Sequence, residues 1–207
     1  MDTPNFLTID TATNTVKTYE PYVIFNGKNP LLNERLFEVD FVSREVSRAQ
    51  LLEIAKRMEA TMLKHGGLGL AANQIGLKLR MFVMTGPEVS VCINPSILGQ
   101  SIEVKREKEG CLTFPYLFLP VSRPEWIDAQ WFDIDGKVHT ARYSGLTARV
   151  FAHELDHLNG IVYTSYVGNL TLSMAKKKRD KTIKKIQRFM EQKQAQQTAL
   201  SPTSYRT

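Results

Sequence analysis

With 207 residues, 43% of them hydrophobic and 23% charged, the chain has the composition of a soluble globular protein long enough for one domain with a sizeable core. No apolar run approaches the ~18 residues of a membrane span, the start Met1-Asp2-Thr3-Pro4-Asn5 lacks a basic-then-apolar signal pattern, and two cysteines do not make a disulfide framework, so a reducing cytoplasm fits best. The net charge of +6 is local: between Lys176 and Arg188 eight Lys or Arg stand against Asp180 alone, which leaves the rest of the chain close to neutral.

The first forty residues mix Thr, Asn, Pro and short apolar groups, and read as loop with one strand near 22–25. Ser47 and Gln50 form a capping-box pattern, and Leu51, Leu52, Ile54, Ala55, Met58 and Met62 follow at helical spacing until His65-Gly66-Gly67 ends the helix. These apolar residues are read as core packing. Segments 80–85 and 89–93 are rich in β-formers, and 126–134 with 137–143 flank the hairpin signal Asp135-Gly136. A helix is expected over 144–159 with Gly160 at its C-terminal cap, then a short strand over 162–167, a second long helix over 171–197 and a disordered end at 201–207. No internal repeat is present. Strands between two distinctive helices read as α+β.

The helix at 144–159 carries His153-Glu154-Leu155-Asp156-His157. At about 100° per residue, positions four apart share a helix face, so His153 and His157 can aim at one ion. Glu154, one step round, can reach a water there without ligating the ion. This is the HExxH arrangement of metal-assisted hydrolysis. The flanking Val150, Phe151, Leu155 and Leu158 place the helix in a core, where buried imidazoles need partners.

A catalytic ion usually takes three protein ligands. Candidates for the third are Cys111, Cys92, His65, His139 and the carboxylates. Cys92 sits in an apolar strand and suits a buried hydrophobe; His139 sits in a polar hairpin strand. Cys111 follows a glycine in Glu109-Gly110-Cys111-Leu112-Thr113, and spacing alone leaves the choice open. Gly66-Gly67-Leu68-Gly69-Leu70-Ala71-Ala72-Asn73-Gln74 is glycine-rich, but no Gly-Lys-Ser/Thr follows to make a phosphate loop; small residues here also allow a second backbone to approach.

Gly67 to Gln74, Glu109 to Thr113 and His153 to His157 resemble, in order, the three signature motifs of the peptide deformylase family. Ile93-Asn94-Pro95, Pro115, Val121-x-Arg123, Ala148-Arg149-Val150 and Leu158-Asn159-Gly160 extend the resemblance over roughly residues 20 to 165. It implies an α+β fold of mainly antiparallel sheets packed around a central metal-binding helix, with a C-terminal helical extension: a catalytic domain over 1–165 and a basic helical extension over 166–207. It implies one divalent ion per chain on Cys111, His153 and His157, commonly Fe(II), with Zn(II), Ni(II) or Co(II) as substitutes.

The same resemblance implies the chemistry. The substrates would be N-formylmethionyl nascent peptides, hydrolysed to formate and a free N-terminus. Glu154 would take a proton from the attacking water and pass it to the departing amine. The Gln74 side-chain amide and the Leu112 backbone N–H would stabilise the developing oxyanion, and Gly67, Leu68 and Gly69 would align the peptide as an added strand. Departures from the family pattern are small. Thr113 stands where serine is usual, Ala152 where glutamine is common, and Tyr116-Leu117-Phe118-Leu119 is more apolar than in many bacterial members.

Glu109 and Arg123 are expected to pair and hold the cysteine loop. The basic segment Lys176 to Arg188 is a solvated helix face or a contact for ribosomal RNA, and a monomer is expected. The competing readings are a zinc endopeptidase, which shares HExxH, and a non-catalytic relative that binds peptide or RNA.

Overall fold

The computed structural model describes residues 7–10, 15–43, 45–86 and 89–200. Near the N-terminus two short strands, β1 (Leu7–Asp10) and β2 (Thr15–Thr18), pair antiparallel where the sequence reads as loop. Residues 22–25, expected as a strand, join no ladder among the described residues. The Tyr22 N–H donates instead to Thr61 Oγ1 and the Phe25 N–H to the Gln74 carbonyl, so this segment is tied to a helix and a turn.

Helix α1 (Arg48–Lys64) begins at Ser47 with the expected capping box: the Ser47 N–H donates to Gln50 Oε1 at 2.8 Å, and the Gln50 N–H to Ser47 Oγ at 3.3 Å. A five-stranded antiparallel sheet follows, in the order β3 (Gly69–Ala71), β4 (Met81–Met84), β5 (Ser90–Gln100), β8 (Trp126–Phe132) and β9 (Val138–Ser144). Strands β8 and β9 make the hairpin signalled by Asp135-Gly136, with Phe132 opposite Val138. Between β5 and β8 the chain leaves the sheet as a separate hairpin, β6 (Val104–Cys111) with β7 (Phe114–Pro124).

Strand β4 is buried along its whole length because helices cover both faces of the sheet. By strand alternation Phe82 and Met84 face helix α2 (Gly145–Leu158), where they meet Phe151, Leu155 and Leu158. Met81 and Val83 face α1 and meet Leu51, Met58 and Met62. A third cluster, Leu117, Leu119 and Val121 of β7 with Tyr163, receives Leu172 and Ala175 from helix α3 (Asn169–Leu200). The α2 helix thus lies between the sheet and the β6–β7 hairpin, the α+β arrangement expected around the HExxH helix.

The expected strand over 162–167 is a 3-10 turn at Tyr163–Tyr166. Its Tyr163 ring is buried beneath β7, and the hydroxyl donates to the Leu117 carbonyl at 2.8 Å, a contact that a ladder strand would not reach. The 201–207 expectation falls outside the described residues.

The C-terminus of α2 is closed twice. After the cap residue Asn159, Gly160 takes φ +72; its N–H reaches the His157 carbonyl at 3.1 Å and the Ile161 N–H reaches the Asp156 carbonyl at 2.9 Å, which is a Schellman motif. The buried Arg80 guanidinium donates to the Leu158 carbonyl, Asn159 Oδ1 and the Pro95 carbonyl, covering the negative end of the helix. A Cβ on Gly160 would stand 2.7 Å from the Asn33 carbonyl oxygen, while one on Gly145 (φ +57) would meet none of the described residues within 4 Å. Gly160→Ala should therefore cost about 2 kcal/mol or more in urea unfolding, and Gly145→Ala about 1 kcal/mol. Equal losses at the two sites would refute the packing argument.

Candidate metal centre

Helix α2 places His153 and His157 one turn apart with ring centroids 5.0 Å from each other. Cys111 stands at the end of β6, just before the two-residue turn Leu112-Thr113 that leads into β7. The ligand atoms of Cys111, His153 and His157 all lie within 4.8 Å of one another, and Cys111 Sγ is 3.3 Å from His157 Nε2. Among the described residues no other group of three potential ligands converges in this way.

The other candidates for third ligand go elsewhere. Cys92 is buried in the core, and burial pushes its thiol pKa up, as for an inert hydrophobe. His139 pairs with Asp133 at 2.7 Å and stacks on Trp131. His65 is exposed on the rim of the cleft.

Glu109 organises the ligands from behind. Its carboxylate accepts His153 Nδ1 at 3.0 Å, a two-pronged Arg123 guanidinium at 2.9 and 3.0 Å, and Arg149 Nη1 at 2.7 Å. The expected Glu109–Arg123 pair is therefore present, buried, and shared with a metal-site imidazole. Arg123 also reaches Asp156, whose Oδ2 accepts the Tyr166 hydroxyl at 2.9 Å. Burial alone would raise the Glu109 pKa, but the hydrogen bonds from His153 and Arg123 outweigh it and hold it at about 2. Burial would lower that of His153; its bonds to Cys111 and Glu109 win and carry it up to about 10. An anionic setting that retains a proton on this ring also suits a cation. His157 is pushed well below its usual value by burial and by the charges of His153 and Arg123, so its ring is neutral and fit to donate a lone pair. Thiolate and imidazole donors on a rigid helix and hairpin fit a divalent transition metal.

Beside the trio, Glu154 is buried and its Oε2 has no hydrogen-bond partner among the described residues. Burial lifts its pKa to about 7, which places its proton exchange near neutrality. Gly69 permits this placement, since a Cβ there would stand 2.5 Å from Glu154 Oε1. Gln74 Oε1 accepts the Ala71 N–H at 2.8 Å, which fixes its amide so that Nε2 donates to Cys111 Sγ at 3.3 Å and Thr113 Oγ1 at 3.1 Å. Gly67, Leu68, Gly69, Gln74, Leu112 and Glu154 all line one cleft of about 550 Å³ with Cys111 and His153. Strand β3, which holds Gly69, is an edge strand with its outer side unpaired in the sheet.

Sequence reading did not assign roles to Arg149, Asp156, Tyr166 or Asn73. Arg149 also donates to the carbonyls of Val121 and Lys105, and Asn73 Nδ2 donates to the His157 carbonyl. Charged or amide groups among apolar neighbours, as in Ala148-Arg149-Val150, were the available signal.

Comparison with known proteins gives a consistent answer. Residues 21–173 match the family model described as polypeptide deformylase. A Bradyrhizobium diazoefficiens protein named peptide deformylase is 34% identical over 163 residues, spanning 73% of this chain and 90% of its own. The crystal structure of peptide deformylase from Thermotoga maritima superposes with a TM-score of 0.68 at 34% identity, over 72% of this chain and 99% of that one. One from Legionella pneumophila gives 0.71 at 30% identity, over 81% and 97%.

Glu109→Gln keeps the shape but removes the charge that balances His153, Arg123 and Arg149. Metal affinity, read by competition with a chromophoric chelator, should fall about 10- to 100-fold. Unfolding should be easier by about 3 kcal/mol, because two buried guanidinium groups each lose a buried counter-charge, Arg123 keeping Asp156 and Arg149 keeping the more exposed Glu107. Undiminished affinity and stability would show that the carboxylate does not support the site.

Proposed function

The chain belongs to the peptide deformylase family, and on that premise we propose that it hydrolyses the N-formyl group of N-formylmethionyl nascent peptides at the Cys111–His153–His157 centre. The observation that carries this reading is the placement of Glu154, Gln74, Cys111 and His153 around one cleft, with His157 buried behind them and its ligand atom within 4.8 Å of those of Cys111 and His153. A divalent ion held there would supply a Lewis acid and a water of lowered pKa; the donor set fits several divalent transition metals, and the family resemblance implies Fe(II), with Zn(II), Ni(II) or Co(II) as substitutes.

The remaining chemistry belongs to the protein. Glu154, with a pKa near 7, takes the proton of the attacking water and delivers it to the departing amine. The Gln74 amide, oriented by its bond from Ala71, and the Leu112 backbone N–H stabilise the formyl oxygen as it gains negative charge. The peptide adds to the open side of β3 through Gly69, with Gly67 and Leu68 beside it, so that its first carbonyl is presented to Glu154.

We further read the protein as a cytoplasmic monomer with a catalytic domain over 1–165 and a basic extension over 166–207. Among the described residues no helix is long and apolar enough to cross a membrane. The first part of α3 packs Leu172 and Ala175 on β7, and from Lys184 onward its described side chains are exposed. The cations of Lys176 to Arg188 suit a polyanion such as ribosomal RNA, near which the substrate emerges.

Two experiments test these readings. Protein loaded anaerobically with Fe(II) or Ni(II) should release formate from a short N-formylmethionyl peptide, and Glu154→Ala should lower kcat by about a thousandfold with its metal content unchanged. Full turnover in that variant would sink the acid/base assignment. Deleting residues 181–207 leaves the packed base of α3 in place; it should weaken ribosome co-sedimentation and flatten its dependence on salt, while short-peptide turnover persists. Identical binding with and without residues 181–207 would remove the docking role of Lys181 to Arg188.

A further inference from the structure

The β6–β7 hairpin has two different faces. Leu117, Leu119 and Val121 are buried against Tyr163 and α3, while the alternate residues Tyr116 and Phe118 are 50% and 60% exposed and line the cleft. The Phe118 ring lies on the bare backbone of Gly110, where a Cβ would come within 2.8 Å of it, so the ring sits beside Cys111. Tyr116 has φ +62, an uncommon conformation for a bulky residue, and one that structures tend to retain at working surfaces. Across the cleft Leu68 and Leu146 are 45% and 60% exposed. Four large apolar side chains are thus half-open to solvent around one opening, and each has area left to bury. Apart from the Tyr116 phenol, the exposed charged or titratable groups lining the same cleft are Lys108 and His65, with no exposed carboxylate among the lining residues.

We propose that Tyr116 and Phe118 form a specificity surface that selects peptides with an apolar or aromatic residue directly after the formylmethionine. The inference rests on the deformylase reading and adds to it the substrate class. An extended peptide held along β3 presents its next side chain toward the cleft walls, where contact with Phe118 and Tyr116 removes apolar area from water on both partners. Part of the area is covered in each case, so a several-fold preference is expected rather than an absolute one. A Lys in that position gains no such burial and meets the cation of Lys108.

The test is a series of formyl-Met-X-Ser peptides with X as Leu, Phe, Ser or Lys, on the metal-loaded full chain. Leu and Phe should exceed Ser by about five- to tenfold in kcat/KM, with Lys lowest. Phe118→Arg, and separately Tyr116→Ser, should bring the Leu-to-Ser ratio toward unity; a ratio taken within each variant is independent of any general loss of activity. A wild-type ratio near one, or a ratio unchanged in both variants, overturns the proposal. If no peptide yields formate, the deformylase reading fails instead. In that case calorimetric binding of Met-X-Ser peptides to the Glu154→Ala chain decides the specificity surface by the same ratio.

Discussion

A carboxylate buried against two guanidinium groups and an imidazole holds the metal-binding half of this protein in register. Glu109 comes from β6, Arg123 from β7, and Arg149 and His153 from α2, so one side chain locks three elements that meet at the centre. Burying any of these charges alone would cost several kcal/mol, and each is tolerable only because the others are present. The arrangement is more than a stabilising pair. By accepting the His153 Nδ1 hydrogen, Glu109 fixes which ring nitrogen faces Cys111 and His157.

The helix that supplies both imidazoles is constrained along its length. Phe151, Leu155 and Leu158 pack on the sheet, Arg80 and the Gly160 turn close its C-terminus, and Asn73 donates to the His157 carbonyl. Rigid surroundings let Glu154 remain buried with one oxygen unpartnered among the described residues, a costly state in a protein interior and one suited to the proton exchange proposed for it. Small residues complete the arrangement. Without a side chain at Gly69 the edge strand can lie against Glu154, so the backbone that would align a peptide and the carboxylate that would act on it share one small volume.

The molecule separates its functions by charge and by exposure. Its interior arginines are held, Arg123 and Arg149 by carboxylates and Arg80 by carbonyl and amide oxygens, whereas the cations of α3 stand on a helix that is mostly exposed beyond its packed base. The cleft joins the two regimes. Its floor is polar and buried, and its mouth is apolar and half-open, a division that matches the proposed chemistry below and the proposed selection above.

Local patterns in the sequence determined a good deal: the capping box at Ser47, the hairpin at Asp135-Gly136, the HExxH helix and the stop at Gly160 all depend on residues a few positions apart. The Glu109–Arg123 pair was legible through resemblance alone, since fourteen positions separate the two in the chain. Spacing could not choose Cys111 over Cys92, His65 or His139, because a ligand is selected by where a strand ends in space. Nor could it show that Arg149 shares the Glu109 carboxylate, or that residues 163–166 turn so that Tyr163 can be buried under β7. Those outcomes were decided by tertiary structure, for a physical reason: periodicity reports which face of an element is apolar, while a buried charge or a metal ligand is defined by partners that only packing brings within hydrogen-bond reach.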